Sequence, residues 1–228
     1  MKHFIYLFLL CISSFTSLAQ SIKFTIQGSL KDTKKAKFAY LTTLSHQVPI
    51  SSDKLLMVTP IKDGKFNFRG TFELDNNTYQ HAAVFIEERG NISKEELISK
   101  FGQLILITDR EKNFKHIILE DIDLVIAEPD QMKTSRIASG GKQTRILYEW
   151  FAALRSKNGK LLDFVRKFPD AQMSLDAVAE ASSGISPLNQ DKLEAAFGSP
   201  KELYTLLSER LKKSEKGMAL RKKIYHIK

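Results

Sequence analysis

The sequence predicts an α+β protein: an N-terminal antiparallel β-sandwich or open barrel over residues 20–139, then a C-terminal α-helical segment over 140–228. Apolar residues alternate with period two through the first part and recur at helical spacing after "SRIASGGKQ". The alternating stretches are short and separated by turn residues, which favours a sandwich over one long sheet.

Residues 1–19 read as a signal peptide rather than as part of the fold. Lys2 and His3 precede the apolar run "FIYLFLLCI" (4–12), and "SLA" supplies small residues for cleavage between Ala19 and Gln20. The run is too short to span a bilayer, and no later stretch is apolar enough to be a transmembrane segment. Leu10, a large residue before Cys11, argues against a lipobox. The expectation is therefore a soluble periplasmic protein, cleaved and not lipid-modified.

In the mature part, "IKFTIQGSL" sets Ile22, Phe24, Ile26 and Leu30 on one face. "KFNFRGTF" does the same with Phe66, Phe68 and Phe72, and Gly70 falls in that row where a bend or a close approach is needed. "DGK" (63–65) reads as a turn, so "VTPIKDGKFNFRG" predicts a β-hairpin. "KFAYLTTL", "HAAVFIE", "QLILIT", "FKHIIL" and "DIDLVIAE" read as further strands. Ser93 and Glu96 form a capping box for a short helical insert.

Ile146, Leu147, Trp150, Phe151 and Leu154 open the helical part, and Leu161, Leu162, Val165 and Phe168 continue it until Pro169 stops it. "SLDAVAEAS" predicts a short helix. "SPKELYTLLSERLKK" predicts a longer one with Ser199 as N-cap, burying Leu203, Leu206, Leu207 and Leu211. A final helix with Leu220, Ile224 and Ile227 on one side should pack against it. Arg221, Lys222 and Lys223 then remain in solvent as a basic patch for an acidic partner or an anionic surface.

The formal net charge is +9, or +8 once Lys2 leaves with the signal peptide. In an exported chain this points to anionic envelope surfaces or acidic partners before nucleic acid, and solvated lysines that keep the protein soluble account for it more simply. Cys11 is the one cysteine, so the mature chain has no thiol and no disulfide. No metal site is expected: His46, His81, His116 and His226 are scattered and lack ligand spacing, which reads them as surface or edge residues. Asp121 and Asp123 alternate as a solvent face does. "ASGGKQT" resembles a phosphate cradle using Lys142 and Arg145, but Arg136 replaces the first Walker glycine and Gln143 the magnesium-holding hydroxyl. It reads better as a glycine-rich strand-to-helix turn. No catalytic motif and no cofactor signature emerge.

The order of "FTIQGSL", "IKDGKFNFRGTF", "HIILEDIDLVI", "SRIASGGKQTRILYEW" and "LYTLLSERLKKSEKGMALRKKI" resembles the N-terminal domain of unknown function of TlpA/ResA-like thiol–disulfide oxidoreductases of Gram-negative bacteria. In those proteins a thioredoxin-like domain with Cys-x-x-Cys follows the last helix. Phe168 and Ala171 depart from the family's usual His/Asn-Pro-x-Ser pattern around Pro169. No catalytic residue carries over. The resemblance implies an envelope compartment and a periplasmic thioredoxin-like protein, or another envelope protein, as partner. The expected function is a non-catalytic interaction or accessory module. The alternatives are a solute-binding module for an oligosaccharide, peptide or lipid, and an oxidoreductase truncated before its catalytic domain.

Cell fractionation checks the export reading: the protein should appear in the periplasmic fraction with Gln20 at its N-terminus. Lipid on Cys11, or an uncleaved N-terminus, would refute it.

Overall fold

Residue alternation in Ser21–Leu30 builds strand β1, the strand on which the first sheet is assembled. The computed structural model describes residues 20–33, 36–43, 55–75, 77–93, 95–97, 113–183 and 190–227. The signal peptide, Ala19, Cys11, His46 and the expected strand "QLILIT" lie outside them. The other strands are β2 (Phe38–Thr43), β3 (Leu56–Pro60), β4 (Lys65–Glu73), β5 (His81–Glu87), β6 (Phe114–Ile118), β7 (Ile122–Ile126) and β8 (Arg136–Gly140).

They form two four-stranded sheets, ordered β4-β1-β7-β8 and β3-β2-β5-β6. Neither closes into a barrel. One apolar cluster joins both sheets: Phe24, Ile26, Phe68 and Leu124 from the first meet Leu41, Val84 and Ile117 from the second. That shared core makes the β part a sandwich.

β1 and β4 run antiparallel in a register that pairs Phe24 with Gly70 and Gly28 with Phe66. Each phenylalanine lies over the glycine opposite it. A Cβ added to Gly28 would fall 2.1 Å from the Phe66 ring, and one on Gly70 would fall 2.8 Å from Phe24. The close approach expected at Gly70 is present, and Gly28 supplies a second one.

Two strand relations differ from the sequence expectation. β1 pairs with β7 in parallel, with Ile26 beside Ile122. A parallel neighbour needs a long connection, and here β4 and all four strands of the second sheet lie between β1 and β7 in the chain. The expected hairpin over 58–70 closes only at its tip, where Lys62 and Lys65 bridge around Asp63 and Gly64, both at positive φ. β3 then pairs with β2 and β4 with β1, in different sheets. The Asp63–Gly64 turn is thus a corner between layers.

β2 and β5 are buried on both faces. On the outer face, Tyr40 stacks on Phe85 at 5.0 Å, and Leu97 and Phe114 join them. Leu97 belongs to a helical turn at 95–97, held by the expected capping box: Ser93 N–H donates to Glu96 (2.9 Å) and Glu96 N–H to Ser93 Oγ (3.2 Å).

A 3-10 turn over Pro129–Thr134 precedes β8, which ends at Gly140. The helices that follow are α1 (Lys142–Ser156), α2 (Lys160–Lys167), α3 (Gln172–Ser183), α4 (Gln190–Phe197), α5 (Pro200–Thr205), α6 (Glu209–Lys213) and α7 (Glu215–Tyr225). Leu147, Trp150, Phe151, Phe164, Val178, Leu203 and Leu211 share a core with Ile118 of β6, so the helices pack onto the sandwich and one another. The expected long helix from Ser199 is two helices. Ser208 accepts from Leu211 N–H at 3.2 Å, capping α6, while its own N–H donates to Pro169 O at 2.8 Å. No helix among the described residues is long and apolar enough to cross a membrane.

Gly28→Ala forces a methyl group into the Phe66 ring and should lower stability by about 1–3 kcal/mol. Urea unfolding of the variant and its parent measures this. An unchanged midpoint would show that the ring moves freely and that the pairing is not restrictive.

Candidate functional site

The glycine-rich turn before α1 resembles an anion cradle and does hold an anion, but that anion is the protein's own. Glu120, between β6 and β7, accepts from Gln143 N–H at 3.0 Å and from Thr144 N–H at 2.7 Å. Thr144 Oγ1 also donates to Glu120 at 2.7 Å and accepts from Ile118 N–H at 3.0 Å. Exposed N–H groups at a helix start favour a negative charge, and Glu120 fills that role. Gly141, at φ +66°, turns the chain into the helix. Arg145 is directed back to the carbonyls of Ile137 and Gly140. The sequence motif is a fastening of helix to sheet, as its reading as a strand-to-helix turn expects. Asp123, in the solvent row, accepts from Ser139 across the β7–β8 pair.

Scattered histidines, by contrast, are brought together. Nδ1 of His81 and Nε2 of His116 lie 2.9 Å apart across β5 and β6, so one donates its proton to the other. His81 is buried, which corrects its reading as a surface residue. The two positions stand 35 residues apart in sequence, and only strand pairing makes them neighbours. The ring of Tyr79 meets His81 edge-on at 5.3 Å, and its hydroxyl donates to Asp176 of α3 at 2.7 Å. Burial first, and the Asp176 carboxylate second, push the Tyr79 hydroxyl far above its ordinary pKa. Tyr148 of α1 donates to His116 O at 2.6 Å and is likewise held protonated by burial.

Lys115 of β6 is also buried, 7% exposed. Its ammonium donates to Ser135 O at 2.6 Å and Lys133 O at 2.9 Å and lies 4.9 Å from the Tyr148 ring centre. Burial, then the Lys133 charge, bring its pKa down from 10.5 to about 8. Among the described residues β6 lies at the edge of its sheet, and a lysine pointing inward from an edge discourages pairing with another chain. These polar groups thus join layers.

The outward-facing feature is α7. Ser214 caps it, accepting from Gly217 N–H at 3.1 Å. Gly217 permits close contact with α6, since a Cβ there would lie 1.9 Å from Leu211 O. Leu220 and Ile224 are buried in the helical core with Leu203, Leu207 and Leu211, as expected. Ile227 is not: the helix ends at Tyr225, His226 adopts a left-handed conformation, and Ile227 is turned out, 49% exposed.

Met218, Arg221, Lys222 and Tyr225 form an i, i+3, i+4, i+7 set, one face of the helix, and all are exposed. Tyr225 is braced edge-on by Tyr204 at 6.1 Å, with Lys201 Nζ 5.8 Å from its ring. Arg221, Lys222 and Lys223 form no salt bridge with another described residue. Residues 200–228 hold nine lysines and arginines against three glutamates. Arg221, Lys222 and Lys223 are all exposed. Sequence reasoning missed the apolar residues that accompany them, although the spacing of Met218 and Tyr225 was legible.

A depression of about 340 Å³ opens between Ile86–Arg89 and Pro129–Asp130. It is open and acid-lined, with Arg89 drawn to Glu96 at 2.5 Å. No group of three or more histidines, cysteines or acids converges among the described residues. Comparison with protein-family models, curated proteins and solved structures finds no match to this chain.

The buried lysine makes stability pH-dependent. Between pH 8 and 10 the unfolded chain holds the Lys115 proton and the folded one releases it, so stability rises with pH, by about 2–3 kcal/mol. Above pH 10 the sign reverses. Tyr79, Tyr148 and Tyr204 are held protonated in the fold and ionise first in the unfolded chain. Chemical denaturation across pH 7–11 should show this maximum, and Lys115→Met should remove the rising limb. An unaltered limb in the variant would assign it to another group.

Proposed function

We propose that this chain is a non-catalytic interaction module of the cell envelope whose working surface is the exposed face of α7. The observation that carries the reading is the union of charge and exposure on that face. Arg221 and Lys222 stand between Met218 and Tyr225, within a segment that concentrates the positive charge of the chain. A counterpart with negative charge is what such a surface attracts, and excess like charge raises its rate of encounter. The resemblance to the domain preceding the thioredoxin-like part of TlpA/ResA-like proteins supports the envelope setting and adds a thioredoxin-like protein as one class of neighbour. The signal-like residues 1–19 support export.

The buried groups support the same reading in another way. The half-buried Tyr79, Tyr148 and Glu120 and the buried Lys115 have partners across the layers they join, and His81 meets His116 on the neighbouring strand. Their role in the proposal is to hold the helical part on the sandwich as a mount for α7.

Retention on a polyanionic heparin matrix tests whether the charge on α7 is the operative charge. Arg221→Glu with Lys222→Glu should elute at markedly lower salt than the parent. The same two-charge reversal at the exposed Lys23 and Lys65 of the first sheet should shift elution much less. Equal shifts would mean that the face has no special part and that only net charge matters.

A further inference from the structure

We infer that the counterpart of the α7 face is an anionic lipid surface, on which the protein docks peripherally through Met218, Tyr225 and Ile227. This rests on the reading of α7 as the working surface and names what it meets. Among the described residues five large apolar side chains are exposed. Three of them, Met218, Tyr225 and Ile227, are gathered at the end of the chain, while Leu56 and Val58 lie on the edge strand β3. An exposed apolar group beside unpaired cations is the chemistry of the headgroup region, where rings and thioethers enter and ammonium and guanidinium groups meet phosphates.

The arrangement also separates a lipid surface from an acidic protein. A protein interface places its apolar anchors together at the centre and its charges at the rim. On α7 the order is interleaved. Met218 and Tyr225 stand two turns apart, about 10 Å along the axis, and Arg221 and Lys222 occupy the turn between them. Each apolar side chain is thus flanked by cations, which suits insertion of single side chains between lipids. The face is the outer side of a helix whose other side is sealed by Leu220 and Ile224. Insertion is therefore shallow and reversible. Tyr225 is held at this face by Tyr204 and accompanied by Lys201, so an aromatic group is presented to the interface without ordering a free side chain.

The test uses the chain beginning at Gln20, so that the apolar residues 4–12 cannot contribute. Co-sedimentation is measured with vesicles of phosphatidylglycerol and phosphatidylethanolamine, and with phosphatidylcholine vesicles. Binding should be confined to the anionic vesicles and weaken as salt is raised. Arg221→Gln with Lys222→Gln should weaken it about 30-fold, on about fivefold per basic residue. Met218→Ser should weaken vesicle binding several-fold yet leave heparin retention unchanged. Met218→Trp should bind and show a blue-shifted emission on anionic vesicles. Circular dichroism and urea midpoints establish that the variants fold. Heparin retention that depends on Arg221 and Lys222, without vesicle binding, would overturn the lipid inference and leave the reading of α7 intact. Vesicle binding indifferent to all of these variants would overturn both.

Discussion

The joint formed by Glu120, Thr144 and Ile118 is the constraint on which the arrangement of the layers depends. A helix start leaves N–H groups without partners, and a sheet edge leaves a strand amide without one. Thr144 Oγ1 serves both sides: it accepts from Ile118 N–H of β6 and donates to Glu120, whose carboxylate accepts from the first turn of α1. Removing the Thr144 hydroxyl would strand the Ile118 N–H of the sheet, and removing the Glu120 carboxylate would strand the first N–H groups of the helix. The direction of α1 is set there, and with it the position of Leu147, Trp150 and Phe151, onto which the later helices pack.

The polar groups near this joint explain why the interface between sandwich and helices contains more than aliphatic packing. His81 and His116 share a proton across neighbouring strands, and Tyr79 and Tyr148 extend the contact to α3 and α1. Buried hydrogen bonds add little net stability, but leaving any of them unmade is expensive. Such a set selects one docking of the helices among several that apolar contacts alone would allow. Lys115 acts similarly: its two carbonyl acceptors lie in the chain just before β8, so it ties β6 to the segment that leads into the other sheet.

The rigidity of this mount gives α7 its meaning in the proposed function. Leu220 and Ile224 are held in the core, Gly217 allows the helix to lie against Leu211, and the remaining face points outward as one surface. A disordered basic tail would offer the same charge. The folded helix adds a defined order of apolar and basic groups, and that order is what favours a lipid surface over an acidic protein.

Local sequence by itself determined most of the described strands, though not β8, along with the capped turn at Ser93–Glu96 and the helical C-terminal part. Period and capping act within a few residues, so a single pass along the chain reads them. It also contained the close approach at Gly70, because a glycine in a row of phenylalanines has few other uses. Only the tertiary structure decided that β3 and β4 belong to different sheets, that β1 and β7 run parallel, and that His81 meets His116. Each of these depends on contacts between segments far apart in sequence, which spacing along the chain does not contain. Ile227 shows the same limit at short range. Its helical spacing pointed inward, but the left-handed turn at His226 released it, since α7 had already buried the two aliphatic side chains for which the core had room.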